Sequence, residues 1–251
     1  VYKEHRIRWR YMRDRNQSPL IRYRKIIQED VRVITMHGGR SDLVWLERFV
    51  RVFEFLRKEE NAYRFVILVD MRDAVFQTNP SLWLEKHLLG TQKKLVATSE
   101  AIRIKNESWN VDVVRYGLGD YFYNLIQHNE IQNGGVIAGD PVYVRDMCLS
   151  IFQMSLAKPQ FGVDQAAHNL LLHMEPWKSA TLFTTLSDGW VLHAQITSQP
   201  HLMDTYGPHL LGERPRFNGT HVINAEGTPF VIVHQYDRVP EWTAYFTQKY
   251  R

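Results

Sequence analysis

Apolar and polar positions along the chain follow two periods, and these predict its elements. In residues 64–80 (RFVILVDMRDAVFQTNP), Phe65, Val66, Ile67, Leu68 and Val69 run without interruption. That is the pattern of a strand buried on both faces of a mainly parallel sheet. The run ends at Asp70, Arg72 and Asp73. Upstream, strict alternation over 6–12 sets Ile7, Trp9 and Tyr11 against Arg6, Arg8 and Arg10, predicting a half-buried strand near an edge. Ser18-Pro19 opens a short helix over 20–28, a strand follows over 31–36, and His37-Gly38-Gly39 turns the chain. Asp42 then caps a longer helix in which Leu43, Leu46, Phe49, Val50, Phe53 and Leu56 recur at helical spacing.

Beyond Pro80 the pattern predicts a helix over 82–88, a strand over 94–98, a helical region over 116–128 and a β-rich run over 130–139. Helices follow over 142–156 and from the Asp164 region through 173, then short β runs over 190–194 and 230–233. Alternating strands and helices are the signature of an α/β domain. There is no internal repeat and no low-complexity linker, so no domain boundary is drawn. Gly134 and Gly135 interrupt the β-rich run, which predicts a close approach of backbone to something bulky, or a positive φ.

Composition bounds the class. With 251 residues, 44% of them hydrophobic, the chain can bury a full core without staples. Its single cysteine, Cys148, excludes an internal disulfide framework. No stretch reaches the roughly 20 apolar residues that span a bilayer, and no signal-peptide pattern opens the chain. The first residue is Val1, compatible with loss of a targeting segment or of a membrane anchor outside this chain. Sequons at Asn16, Asn106 and Asn218 would permit glycosylation in a secretory, Golgi-type lumen, and a cytoplasmic location stays open beside it. The net charge of +4 is uneven: residues 1–40 hold eleven Lys or Arg against four acids, leaving −3 on the rest. A basic arm of this kind meets nucleic acid, a membrane surface or a phosphorylated ligand, or is simply a solvated face.

Candidate chemistry sits at strand ends, where open α/β sheets bind ligands. Asp70 and Asp73 offer the oxygen ligands a hard divalent cation takes, often together with substrate phosphates; Asp and Asn also close turns there. The run over 230–233 ends in His234-Gln235-Tyr236-Asp237-Arg238, an imidazole suited to a metal and a guanidinium suited to phosphate. Asp164 can be an N-cap, and Asn133 can start the turn before Gly134.

Taken in order, Asp70-Met71-Arg72-Asp73, Asn133-Gly134-Gly135-Val136, Asp164-Gln165-Ala166-Ala167-His168-Asn169, and His234 with Arg238 and Trp242 resemble the motif series of GT-A fold, family 8-like glycosyltransferases, the glycogenin kind. The Asp-x-Arg-Asp-x-x-Phe-Gln and His-Gln-Tyr-Asp-Arg forms also look like those of less characterised nucleotide-diphospho-sugar transferases. The resemblance runs from about Phe65 to Trp242. It implies one GT-A (Rossmann-like) domain over 1–251, with a mixed, mainly parallel central sheet flanked by helices and a basic segment over about 1–40. It implies transfer of a sugar from a nucleoside-diphosphate sugar, a UDP-sugar foremost, to a hydroxyl of a glycan or glycoconjugate acceptor, with retention favoured and no nucleic-acid partner.

The implied cofactor is Mn²⁺ or Mg²⁺, with Asp70, Asp73 and His234 as ligands, Asp70 alternatively a ribose contact. Asp164 and Gln165 take the catalytic or acceptor face. Asp70, Arg72, Asn133, Gly134, Gly135, Asn169, Arg238 and Trp242 contact the donor. Two departures stand out. The family's usual acidic motif is Asp-x-Asp, and carboxylates three apart on a strand do not share a face, so Asp70 and Asp73 reach one ion only if the chain leaves extended geometry near Met71. Arg72 then either neutralises phosphate or pairs with an acid. Arg238 stands where the family usually has lysine. Competing classes are a metal-dependent phosphoesterase or nuclease and a basic nucleic-acid-binding module.

Overall fold

The computed structural model describes residues 44–59, 62–70, 72–202, 204–205 and 214–249. The expected strand over 6–12, helix over 20–28, strand over 31–36 and the Asp42 cap lie outside the described residues, as does Met71.

Helix α1 (Val44–Lys58) buries Leu46, Phe49, Val52 and Leu56. Val50 and Phe53, expected on that face, are only partly covered, because the helical pitch carries the inward stripe through Val52 instead. The chain continues into strand β1 (Val66–Val69), β2 (Ala74–Phe76) and helix α2 (Pro80–Leu88). That helix starts where its sequence dictates: Asn79 Oδ1 accepts from Ser81 N and proline occupies the first helical position. Strand β3 (Leu95–Arg103) outruns the expected strand over 94–98. In place of one helical region over 116–128 stand α3 (Ser108–Leu118) and α4 (Asp120–Ile126), separated at Gly119, whose φ of 91° no helix contains.

Strands β4 (Glu130–Gln132) and β5 (Val136–Gly139) flank Gly134-Gly135. Helices α5 (Pro141–Ser155) and α6 (Val163–Leu172) follow, then the short α7 (Trp177–Ala180) and β6 (Thr181–Thr184). Strand β7 (Val191–His193), α8 (Ala194–Thr197), β8 (Arg216–Phe217), β9 (Val222–Ile223), β10 (Ile232–His234) and helix α9 (Pro240–Lys249) complete the described chain. Among the described residues no helix is long and apolar enough to cross a membrane.

The architecture is mixed α/β. One sheet runs in the order β1-β5-β3-β4, with β6 also paired to β3; a second runs β2-β10-β7, and β8 pairs with β9. The expected mainly parallel sheet is not what the described residues form. Strand β1 pairs antiparallel with β5, as β3 does with β4 and β5, and β10 with β2. Parallel pairing is confined to β3 with β6 and β10 with β7. An apolar run reports burial and carries no information on strand direction. Moreover, β1 is half-buried throughout rather than sealed on both faces.

The core divides between the sheets. α1 packs with Val144, Met147, Cys148 and Ile151 of α5 against Ile137 of β5, while Trp242 and Phe246 of α9 close over Leu192 and Val233. Burial pushes the Cys148 thiol up to about 12, which keeps it protonated and inert.

Candidate functional site

The register of the second sheet assembles the first pair. His234 lies opposite Ala74 on one side and His193 on the other, so Asp73, one residue before β2, meets His234 at the strand end. The main chain fixes this meeting: Gln235 N donates to Asp73 O at 2.6 Å and Tyr236 N at 3.3 Å. His234 Nε2 lies 3.6 Å from Asp73 Oδ1, with both side chains buried. On its far side His234 Nδ1 is 3.0 Å from His193 Nδ1. His193 Nε2 is buried without a hydrogen-bond partner among the described residues. A bare lone pair is cheaper to leave there than an unmet N–H, so His193 donates from Nδ1 and His234 turns its Nε2–H toward Asp73. Burial pushes the Asp73 carboxyl up, but His234 and Arg72 outweigh it and hold the group below its ordinary range.

A second cluster forms around Arg48. Its Nη1 donates to Asp70 Oδ1 at 2.5 Å and its Nη2 to Asp164 Oδ2 at 2.9 Å, so one guanidinium ties the end of β1 to the start of α6. Burial drags the Arg48 pKa down, yet the two carboxylates leave it raised. Burial also pushes the Asp164 carboxyl up, and Arg48 offsets this only in part. Asp164 is not the N-cap of α6; that position is Gly162, at φ 91°. Arg72 pairs with Asp73, its Nη2 3.3 Å from Oδ2, while its side chain remains 80% exposed.

The Gly134-Gly135 segment is where backbone meets bulk. A Cβ on Gly135 would come within 2.9 Å of His234 Nε2 and closer still to Cε1. Asn133 does start a turn, accepting from Gly135 N at 2.7 Å, and also donates from Nδ2 to Glu100 Oε1 at 2.7 Å. Burial pushes the Glu100 carboxyl up to about 7. Gln165 commits both ends of its amide to backbone, accepting from Gly134 N and donating to Gln132 O. Asn169 bonds Gln132 on both its N–H and its C=O.

Asp70, Arg72, Asp73, Asn133, Gly134, Gly135, Asp164, Gln165, His234 and Arg238 line one cavity of about 420 Å³. Asn169 is not among its lining residues: its side chain is spent anchoring β4 to α6. Trp242 is buried in the core and does not line the cavity either. Pattern reading missed Arg48, Glu100 and His193. Glu100 alone carried a signal, an acid inside the run that continues the strand over 94–98.

For a divalent cation, the donors that converge are Asp73 Oδ1 and His234 Nε2, the imidazole giving Nε2 to an ion once its proton moves to Nδ1 and that N–H donates to His193 Nδ1 instead. Asp70 does not join them in this arrangement, since its Oδ1 is held by Arg48. Among the described residues no group of three His, Cys, Asp or Glu side chains converges to hold an ion. The pair therefore fits a cation that takes its remaining ligands from phosphate oxygens and water. Comparison of the chain with protein-family models and with curated proteins gives no match.

Proposed function

We propose that the protein is a glycosyltransferase of GT-A type that moves a sugar from a nucleoside-diphosphate sugar, UDP-linked foremost, to a hydroxyl of a glycan. The observation that carries this reading is the gathering of the four ordered motifs, up to 168 residues apart from Asp70 to Arg238, around one cavity, with Asp73 and His234 3.6 Å from each other. Asp73 and His234 would hold Mn²⁺ or Mg²⁺, which when bound supplies positive charge beside the departing diphosphate.

The chain's own residues do the rest. Arg72 and Arg238 line the same cavity and supply guanidinium groups suited to phosphate oxygens. Arg48 fixes the Asp164 carboxylate by one hydrogen bond and, with burial, leaves it able to accept bonds from sugar hydroxyls. Gln165 and Asn133 shape the cavity wall rather than react: their amides hold the Gly134 and Gly135 N–H groups, so the backbone there stays thin enough for the His234 imidazole. The site is thus preorganised, which is where most of the rate advantage of such transfers resides.

The test is sugar release from a panel of UDP-, GDP- and ADP-sugars with Mn²⁺ and then with chelator. The reading predicts hydrolysis of at least one donor, lost with chelator and in Asp73→Ala. No hydrolysis of any donor, together with cleavage of a phosphodiester, would transfer the site to phosphoesterase chemistry.

A further inference from the structure

Apart from its charged groups, the cavity has an aromatic rim that the transfer chemistry does not use. Trp109 and Phe161 line it while remaining 43% and 69% exposed. Their ring centroids lie 6.3 Å apart, and Phe161 meets Trp45 edge-on at 6.4 Å. Leaving large aromatics in water is unfavourable, and clustered ones mark binding surfaces.

The rim is built. Glu107 caps α3, accepting from Trp109 N at 3.2 Å and from Asn110 N at 2.7 Å, which sets the indole on the first turn. The indole then lies across Gly162, where a Cβ would stand 2.6 Å from Trp109 Cζ2. Gly162 also needs its left-handed φ of 91° to start α6. A single glycine therefore seats Trp109 and starts the helix that carries Asp164, coupling the rim to the reacting end of the cavity.

The rim's neighbours decide what it takes. The lining residues from 107–110, 161–162 and 195–199 include Glu107, Asn110, Gln195 and Gln199, with no Lys or Arg, and Arg48, one turn beyond Trp45, is paired with Asp70 and Asp164. The cavity's exposed cations, Arg72 and Arg238, stand instead on the segments next to Asp73 and His234. An apolar face bordered by neutral amides and one carboxylate suits an uncharged sugar ring: its C–H face lies on the π-cloud and its hydroxyls reach the amides. A phosphate would be repelled by Glu107.

We propose that Trp109 and Phe161 form the acceptor subsite, holding a neutral pyranose ring stacked on the indole. The role as acceptor subsite rests on the glycosyltransferase reading; the binding of a neutral sugar does not. The test is an array of neutral oligosaccharides (malto-, cello-, xylo- and manno-pentaose) probed with wild type, Trp109→Ala, Trp109→Phe, Phe161→Ala and, as a control, Tyr121→Ala, an exposed aromatic that does not line the cavity. UDP binding with Mn²⁺ is measured on each by thermal shift.

The expected result is retention of at least one oligosaccharide by wild type, weakened at least tenfold in Trp109→Ala and Phe161→Ala. Trp109→Phe and Tyr121→Ala should stay near wild type, and UDP binding should be unchanged throughout. Oligosaccharide binding indifferent to both alanine variants, or no oligosaccharide bound at all, overturns the proposal. Loss of UDP binding in Trp109→Ala would also overturn it, by making the rim a nucleobase seat. If wild type ignores UDP but binds oligosaccharide through Trp109, the rim stands as a sugar site and the transferase reading falls.

Discussion

At Gly135 one added methyl group is enough to disrupt the site. Its Cβ would overlap the His234 ring, and the imidazole is boxed in by His193 and Asp73. Gly135→Ala should therefore push His234 off the cavity, cutting donor hydrolysis at least a hundredfold and abolishing the Mn²⁺ response. The fold should survive, which far-UV circular dichroism would check. The sequence announced this position, because glycine inside a β-rich run has few explanations. Arg48 gave no such notice. On a helix its spacing marks only a polar flank, and its partners Asp70 and Asp164 lie 22 and 116 residues away. Arg48→Met should leave Asp164 buried without its counter-charge, lowering kcat/KM by two orders of magnitude and stability by about 2 kcal/mol in urea unfolding. Unchanged kcat/KM in Arg48→Met would remove Asp164 orientation from the account.

Among the elements, the short strand β2 is the one on which the site hangs. It leads out of Asp73, and its far end is clamped by Gln77, whose buried amide donates to Val222 O and Phe230 O and accepts from Val222 N. The glutamine that closes the Asp-x-Arg-Asp-x-x-Phe-Gln run thus fastens β2 to β9 and to the approach of β10, which keeps His234 in register with Ala74. Gln77→Leu should leave the buried Val222 N and Phe230 O unmet, Val222 O keeping its bond from Phe230 N, and cost about 3 kcal/mol, seen as a lower urea midpoint with little change in slope.

Element existence was legible over most of the described chain: α1, α2, α5, α6 and the strands around 66–69, 136–139 and 232–234 fall close to where the periodicity puts them. Strand direction was not legible, since β1 and β5 carry the same apolar runs whichever way they pair. Neither was β6, a TLFT segment whose Thr184 is buried through its bond to Thr98, so its polarity masked its place in the sheet. The four motifs were legible as a set, whereas Asn169 and Trp242 were misplaced because their residue types suit a core and a cavity equally well.

For the molecule as a whole, the clearest pH lever is Glu100, buried beneath Asn133 with its carboxyl pushed up to about 7 from 4.5. A raised carboxyl favours the protonated folded state, so its contribution is complete below pH 4.5 and is lost as pH rises through 7. Glu100→Gln removes that loss: the variant should match wild type near pH 4.5 and exceed it at pH 8 by on the order of 3 kcal/mol, measured in chelator by urea unfolding across the pH range. The same fold brings Asp73 and His234 together from strands 161 residues apart, and the account depends on that pair serving a diphosphate. The most direct measurement is a thermal-shift titration of wild type and Asp73→Ala with UDP, with and without Mn²⁺. The account predicts that UDP stabilises wild type in a Mn²⁺-dependent, saturable way and leaves Asp73→Ala unmoved. A wild type indifferent to UDP at every Mn²⁺ concentration, or an Asp73→Ala variant that responds equally, would contradict it.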